Sequence, residues 1–167
     1  MAPHTIALGP GFTAGVDVDV VIETKRGHNL GRLIYKGEAA PNTGIPGMIA
    51  GFGKERVIHS PSSGYFYGLT VIGDMVEKGR PMGVITQEAL PDGVKPAVAM
   101  GIPVPATLTG LLRGMIRSTY PVVSGFKIAD IDPRKDELKN CFTISDKARC
   151  LGGAVLTALC AMMQQEK

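Results

Sequence analysis

Residues 57–86 and 103–132 are two copies of one pattern, offset by 46 positions, and this repeat constrains the fold more than any other feature of the chain. Gly64 aligns with Gly110, Gly68 with Gly114, Val76 with Val122, Gly79 with Gly125, Met82 with Ile128 and Ile85 with Ile131, without a gap. Each copy reads as a short strand, a turn glycine, a second strand, then Val-x-x-Gly-x-x-(Met/Ile) leading into an apolar strand. The valine is expected to plug the core, and the glycine three residues later permits a left-handed turn without a Cβ penalty. Neither copy can bury its apolar face alone. The pattern therefore predicts two β-halves, related by an approximate two-fold axis, that close one small sandwich or barrel.

That architecture resembles the barrel-sandwich hybrid of biotinyl and lipoyl carrier domains, a likeness of fold from which function does not follow. Carriers hold their cofactor on a lysine at the tip of the hairpin joining the halves. Here the connection from Thr86 to Ile102 contains one lysine, Lys95, within Asp92-Gly93-Val94-Lys95-Pro96. It lacks a Met-Lys-Met context, and the following proline disfavours a regular tight hairpin, so Lys95 reads as a solvated loop residue.

The chain of 167 residues is long enough for a sizeable core. Its expected organisation is a glycine-rich strand and loop region at 1–50, the duplicated β-unit at 51–134, and a C-terminal helix at 135–167 packed on the barrel, all in one compact unit. The class is mainly β (α+β). A net charge of +3, from 18 Lys+Arg against 15 Asp+Glu, is too small to predict a nucleic-acid partner. No segment has transmembrane length and the N-terminus lacks a signal-peptide pattern, which leaves a cytoplasmic protein as the expectation. Cys141, Cys150 and Cys160 have neither the number nor the spacing of a zinc knuckle, so no metal site is expected.

In the first region, Thr5-Ile6-Ala7-Leu8, the β-branched run Val16–Thr24 and Arg32-Leu33-Ile34-Tyr35 read as strands. The segment Gly9–Gly15 lacks the lysine and Ser/Thr ending of a phosphate-cradling loop and reads as a turn. The loop from Ala39 to Gly47 follows. Near the other end, Lys135–Lys139 reads as solvated loop, and Ser145 can cap a helix from about Asp146 to Gln164. Ala148, Leu151, Val155, Ala158, Leu159 and Met162 fall on one face of that helix. Gly152-Gly153 lowers its propensity, and close approach of another backbone would compensate.

Polar residues interrupt apolar segments in three places: Asp17, Asp19, Glu23, Thr24, Arg26 and His28; Asp132 and Arg134; Ser145, Asp146, Lys147 and Arg149. An ion-pair network pinning loops together needs these residue types. So does a site for an anionic ligand, with Arg26, Asp132, Arg134, Ser145, Asp146 and Lys147 as binding residues and His28 or Glu23 as acid or base. For such a site the three groups are expected to converge on one cleft.

Five motifs, Ile6-Ala7-Leu8-Gly9-Pro10-Gly11-Phe12, Val21–Arg32, Ala40–Gly47, Ile128–Arg134 and Thr143–Ala148, resemble the accessory protein family of the selenium-dependent molybdenum hydroxylase system. Members of that family are longer, with an α/β segment like a nucleotide-binding fold ahead of the Leu-Gly-Pro-Gly-Phe motif, so the chain reads as a short member, a truncated product or part of a longer protein. The resemblance implies a cytoplasmic role in maturing a molybdenum hydroxylase of the xanthine dehydrogenase type, with a hydroxylase subunit or another maturation protein as partner. It leaves open the handling of a selenium species, and implies no cofactor resident in this chain. Self-association into a homo-oligomer is also left open, and no membrane partner is expected. The alternatives are a barrel-sandwich module of a small-molecule hydrolase, similar to the β-domain of zinc-dependent deacylases of the succinylglutamate desuccinylase type, and a carrier-like domain. Bound zinc with hydrolase activity would mark the first alternative, and a mass increment on Lys95 the second.

Overall fold

The computed structural model describes residues 2–42 and 47–165. The fold is mainly β, with several sheets and one C-terminal α-helix. The backbone divides into two compact units, one formed by residues 2–42 with 144–165, the other by 47–143. This partition differs from the single unit read from the sequence, because the two ends of the chain pack on each other.

In the first unit, strands β1 (Ile6–Leu8), β3 (Val20–Ile22) and β4 (Leu33–Ile34) form a sheet in the order β1-β3-β4. β1 runs parallel to β3 and β4 antiparallel to it. A small ribbon pairs β2 (Thr13–Ala14) with β5 (Gly37–Glu38). β3 is the central strand and is buried on both faces, which is why it reads as an unbroken Val-Val-Ile run. Val21 joins Ala7, Ala14 and Ala39 in one cluster. Val20 and Ile22 join Ala158 and Met162 of the helix α1 (Asp146–Gln165) in another.

The strand expected over Val16–Thr24 is confined to Val20–Ile22. Its alternating start is loop, because Asp17 accepts a hydrogen bond from the Thr13 N–H and Asp19 accepts from both the N–H and the hydroxyl of Thr5. These short acidic side chains offer the backbone an alternative to a ladder.

Ser145 caps α1 as expected, its Oγ accepting from the Ala148 N–H at 3.2 Å. The helix's buried face is narrower than its apolar pattern: Leu151, Val155, Ala158 and Met162 pack inward on β3, whereas Ala148 is exposed and Leu159 is 39% exposed. The helix therefore finds a partner in the N-terminal strands of its own unit. Among the described residues, a Cβ at Gly152 or Gly153 would meet nothing within 4 Å, so the expected close approach of another backbone is not found there. The loop expected from Ala39 to Gly47 is described except for residues 43–46, which lie outside the described residues.

The second unit carries the repeat. The first copy supplies β6 (Val57–His59), β7 (Gly64–Gly68), β8 (Met75–Val76) and β9 (Pro81–Thr86). The second supplies β10 (Ile102–Pro105), β11 (Gly110–Met115), β12 (Tyr120–Val122) and β13 (Lys127–Asp132). The strands pair into two four-stranded sheets, β10-β9-β7-β12 and β6-β13-β11-β8. Replacing each strand of the first sheet by its repeat mate gives the second. Each sheet thus takes two strands from each copy, and neither sheet is built from one copy alone.

The correspondence extends to single bonds. Gly79 and Gly125 both have φ of +82°. The N–H of Gly79 donates to the Ala106 carbonyl and that of Gly125 to the Ser60 carbonyl. Both sheets fill one core, in which Phe66, Val76, Met82 and Ile85 meet Leu112, Val122, Ile128 and Ile131. The register of β7 against β9 is regular, with Phe66 opposite Ile85 and Tyr67 opposite Val84. That of β11 against β13 slips between Leu112 and Gly114, which leaves Arg113 at a β-bulge. Lys135–Lys139, expected as loop, is part of a 3-10 helix over Lys135–Phe142 whose residues are mostly exposed. Among the described residues no helix is long and apolar enough to cross a membrane.

Candidate functional site

In the first unit, the sequence-predicted residues are held by their own chain. Glu23 directly follows β3 and is buried. One carboxylate oxygen accepts from the Lys25 N–H at 2.7 Å and the other from the Ala40 N–H at 2.8 Å. Burial acts to raise its pKa, but the N–H donors of Ala40, Lys25 and Thr24 and the charge of Lys25 outweigh it and hold the carboxyl below its ordinary value. Glu23 therefore joins two loops, with both oxygens committed to backbone.

Arg26 forms a bidentate pair with Asp146, Nη1 to Oδ2 at 2.6 Å and Nη2 to Oδ1 at 3.0 Å. The hydrogen bonds from Arg26, then the Lys147 N–H, hold the Asp146 carboxyl well below the usual carboxylate range. Asp146 also lies in the first turn of α1, where a negative charge complements the helix dipole. Ser145 and Lys147 flank it, and His28 is exposed in the loop after Arg26. The pair is open to solvent, with side chains 58% and 68% exposed.

The second unit holds Asp132 and Arg134. Asp132 ends β13 and is fully buried. Its Oδ1 accepts from the N–H and the Nε of Arg134, both at 3.0 Å. Its Oδ2 accepts from Arg134 Nη2 at 2.7 Å and from Arg113 Nη1 at 2.9 Å. The Arg134 guanidinium is the main reason that this carboxyl lies well below the usual range; burial opposes it, and the Arg134 N–H and Arg113 add to it. Arg134 Nη1 pairs with Glu137 at 3.0 Å, and Asn140 donates to the other Glu137 oxygen. From a distant part of the chain, the buried Arg56 donates to the Ile131 carbonyl at 3.2 Å and pairs with Asp130 at 3.4 Å.

The structure thus joins Arg26 with Asp146 in one unit, and Asp132 with Arg134 in the other. Arg113, Glu137 and Arg56 were not among the residues singled out from sequence. For Arg113 a signal was present: it is a charge between Leu112 and Gly114 in an apolar strand, at the position where the first copy has Tyr67. Among the described residues, no three His, Cys, Asp or Glu side chains come together as a group able to hold a metal.

No family model matches the chain. Over 165 residues, 99% of its length, it is 46% identical to the uncharacterized protein YqeB of Escherichia coli strain K12, and it spans 28% of the length of that relative. Among solved structures, an aspartoacylase family protein of Mesorhizobium loti aligns with 48% of this chain and 24% of its own, at 26% identity and a TM-score of 0.37. A succinylglutamate desuccinylase/aspartoacylase of Rhodobacter sphaeroides aligns with 50% of this chain and 24% of its own, at 18% identity and the same score. The product-bound ectoine utilization protein EutE of Ruegeria pomeroyi aligns with 59% and 27%, at 18% identity and a TM-score of 0.37.

Proposed function

We propose that the chain is a module of a cytoplasmic accessory protein that acts in the maturation of a selenium-dependent molybdenum hydroxylase, binding an anionic small ligand or partner group. The observation that carries this reading is where the family-like motifs meet. In the first unit, Gly9 of Leu-Gly-Pro-Gly-Phe lies so close to Thr24 that a Cβ there would come within 2.7 Å of the Thr24 hydroxyl. Glu23 binds Ala40 of the third motif, and Arg26 binds Asp146 of the last. Four of the five resembling segments are therefore linked by direct contacts, and the fifth, Ile128–Arg134, contains the Asp132 cluster. Contacts that join the motifs carrying the resemblance support reading them as one functional unit of the kind that family uses. For the second unit we adopt the barrel-sandwich hybrid of biotinyl and lipoyl type, a reading supported by the exchange of strands between the copies.

The test is made in the native host with the full-length gene. Tagged protein is expected to co-isolate with a molybdenum hydroxylase subunit, and deletion is expected to remove hydroxylase activity and its labile selenium. Arg26→Ala breaks an exposed pair of small energetic weight, so it should leave the melting temperature nearly unchanged while lowering hydroxylase maturation. Full hydroxylase activity in the deletion strain overturns the reading.

A further inference from the structure

The repeat contains its own control. Arg113 and Asp132 of the second copy, with Arg134 two residues beyond it, align with Tyr67 and Thr86 of the first, with Glu88 two residues beyond it. In the first copy this place is free of ion pairs between the three: the Thr86 hydroxyl donates to the Glu88 carbonyl at 2.6 Å, and the Tyr67 hydroxyl accepts from the Leu90 N–H at 2.7 Å. Thr86 and Glu88 there line an open pocket of about 410 Å³ with Leu90, Met100 and Ile102. The fold itself therefore needs no cluster of ion pairs at this position. The second copy has one, and it also slips register at Arg113, whereas β7 against β9 does not. Bulges recur where a side chain must be re-aimed.

Two guanidinium groups bond one oxygen, Oδ2 of Asp132. The carboxylate is wholly buried, while the arginine side chains are 26% and 43% exposed. A buried acid that fixes two partly exposed arginines leaves one positive charge uncompensated, and planar forked donors suit carboxylate or phosphate oxygens. In this chain the balancing anion is Glu137, which bonds Arg134 Nη1 from an exposed 3-10 segment.

We propose that Arg113 and Arg134, oriented by Asp132, form a seat for the carboxylate or phosphate group of a small ligand, and that Glu137 holds the Arg134 side of this seat from within the chain and yields it to the incoming anion. The inference rests on the preceding section only for the expectation of an anionic ligand, and it is tested in vitro, apart from hydroxylase maturation. Arginine side-chain resonances of the labelled chain are followed while inorganic phosphate, and separately succinate, is titrated at constant ionic strength. Saturable shifts of the Arg113 and Arg134 Nε–H signals are expected with at least one of the two, which also tells phosphate from carboxylate. Glu137→Gln should lower the midpoint about tenfold by removing the competing charge. Arg113→Lys, which keeps the charge and loses the fork, should raise it while leaving the chain folded. Linear, non-saturating shifts with both anions, or a midpoint indifferent to Glu137→Gln, overturn the proposal; saturable binding in a chain that is dispensable for hydroxylase maturation overturns only the reading of the preceding section.

Discussion

Gly64 and Gly110 face the same obstacle in the two halves of the repeat. A Cβ on Gly64 would come well under 3.0 Å from the carbonyl oxygen of Thr86, and one on Gly110 equally close to that of Asp132. Thr86 and Asp132 are themselves repeat mates. The glycines are thus required by the approach of a neighbouring strand's backbone, and only at Gly64, with φ of +146°, does backbone conformation add to the requirement.

Alanine at either position should therefore push two strands apart. We expect Gly64→Ala and Gly110→Ala each to lower stability by about 1–3 kcal/mol, the range for overpacking a tight site, with the larger loss at Gly64 because of its φ. Urea denaturation of the two variants checks this. Parent-like midpoints for both would show that the strands are not held at the spacing described.

The helix glycines carry the opposite expectation. Gly152 and Gly153 are exposed within α1, and a Cβ at either meets open space. Gly152→Ala and Gly153→Ala should each stabilise the first unit by about 0.5–1 kcal/mol, since alanine reduces the freedom of the unfolded chain and nothing resists its methyl. Thermal melts followed by the far-ultraviolet helix signal provide the measurement. A loss of stability would mean that these glycines are in contact with another surface in solution.

These opposite expectations show what the sequence could and could not convey. The repeat was legible because turn glycines and core valines leave marks at fixed spacing, and Val76, Val122, Ile85 and Ile131 are all buried as that spacing required. Ser145 as a helix cap was legible for the same local reason. The surroundings of Gly152-Gly153 were not, because propensity reports on the backbone and says nothing about neighbours. The partners of α1 were hidden too: an apolar stripe fits the face of any sheet, and only the fold selects Val20 and Ile22. Arg113 escaped notice because a bulge is a property of two strands in register, Leu112 and Gly114 against Ile131 and Asp130, and not of one segment. The polar motifs were found, but their pairings, Arg26 with Asp146 across most of the chain, depend on tertiary structure.

Glu23 gives a test of loop pinning. An amide keeps one acceptor and turns an NH₂ toward the N–H of either Lys25 or Ala40, so a donor faces a donor at a buried site. Glu23→Gln should lower stability by about 1–3 kcal/mol. The depressed pKa of Glu23 means that its contribution is present above the ordinary carboxylate range and fades as pH falls below it. Hydrogen exchange locates the effect: the Lys25 and Ala40 amides should lose protection in the variant more than the β3 amides do. Equal loss throughout the first unit would make Glu23 a general stabiliser and not a link between two loops.

Asp132 provides the sharpest electrostatic test, because burial and charge pairing oppose each other there. Replacing its carboxylate by an amide leaves Arg113 and Arg134 without their shared counter-charge, and breaking such a pair while both partners stay partly buried should lower stability by about 2–4 kcal/mol at pH 7. The sign of the pH dependence follows from the direction of the shift. The folded-state pKa lies below the unfolded one, so the unfolded chain takes up the proton first on acidification. The stabilisation is complete above the ordinary carboxylate range and is lost as pH falls toward the depressed value. Asp132→Asn has no such proton to take up. The gap in unfolding free energy between parent and variant should therefore be widest near neutrality and should narrow on acidification through the carboxylate range. Urea titrations of both proteins at pH 7 and near pH 3 measure it. A gap of the same size at both values would assign the loss to packing around the amide and remove the ion pair as the source of the stability of this corner of the second unit.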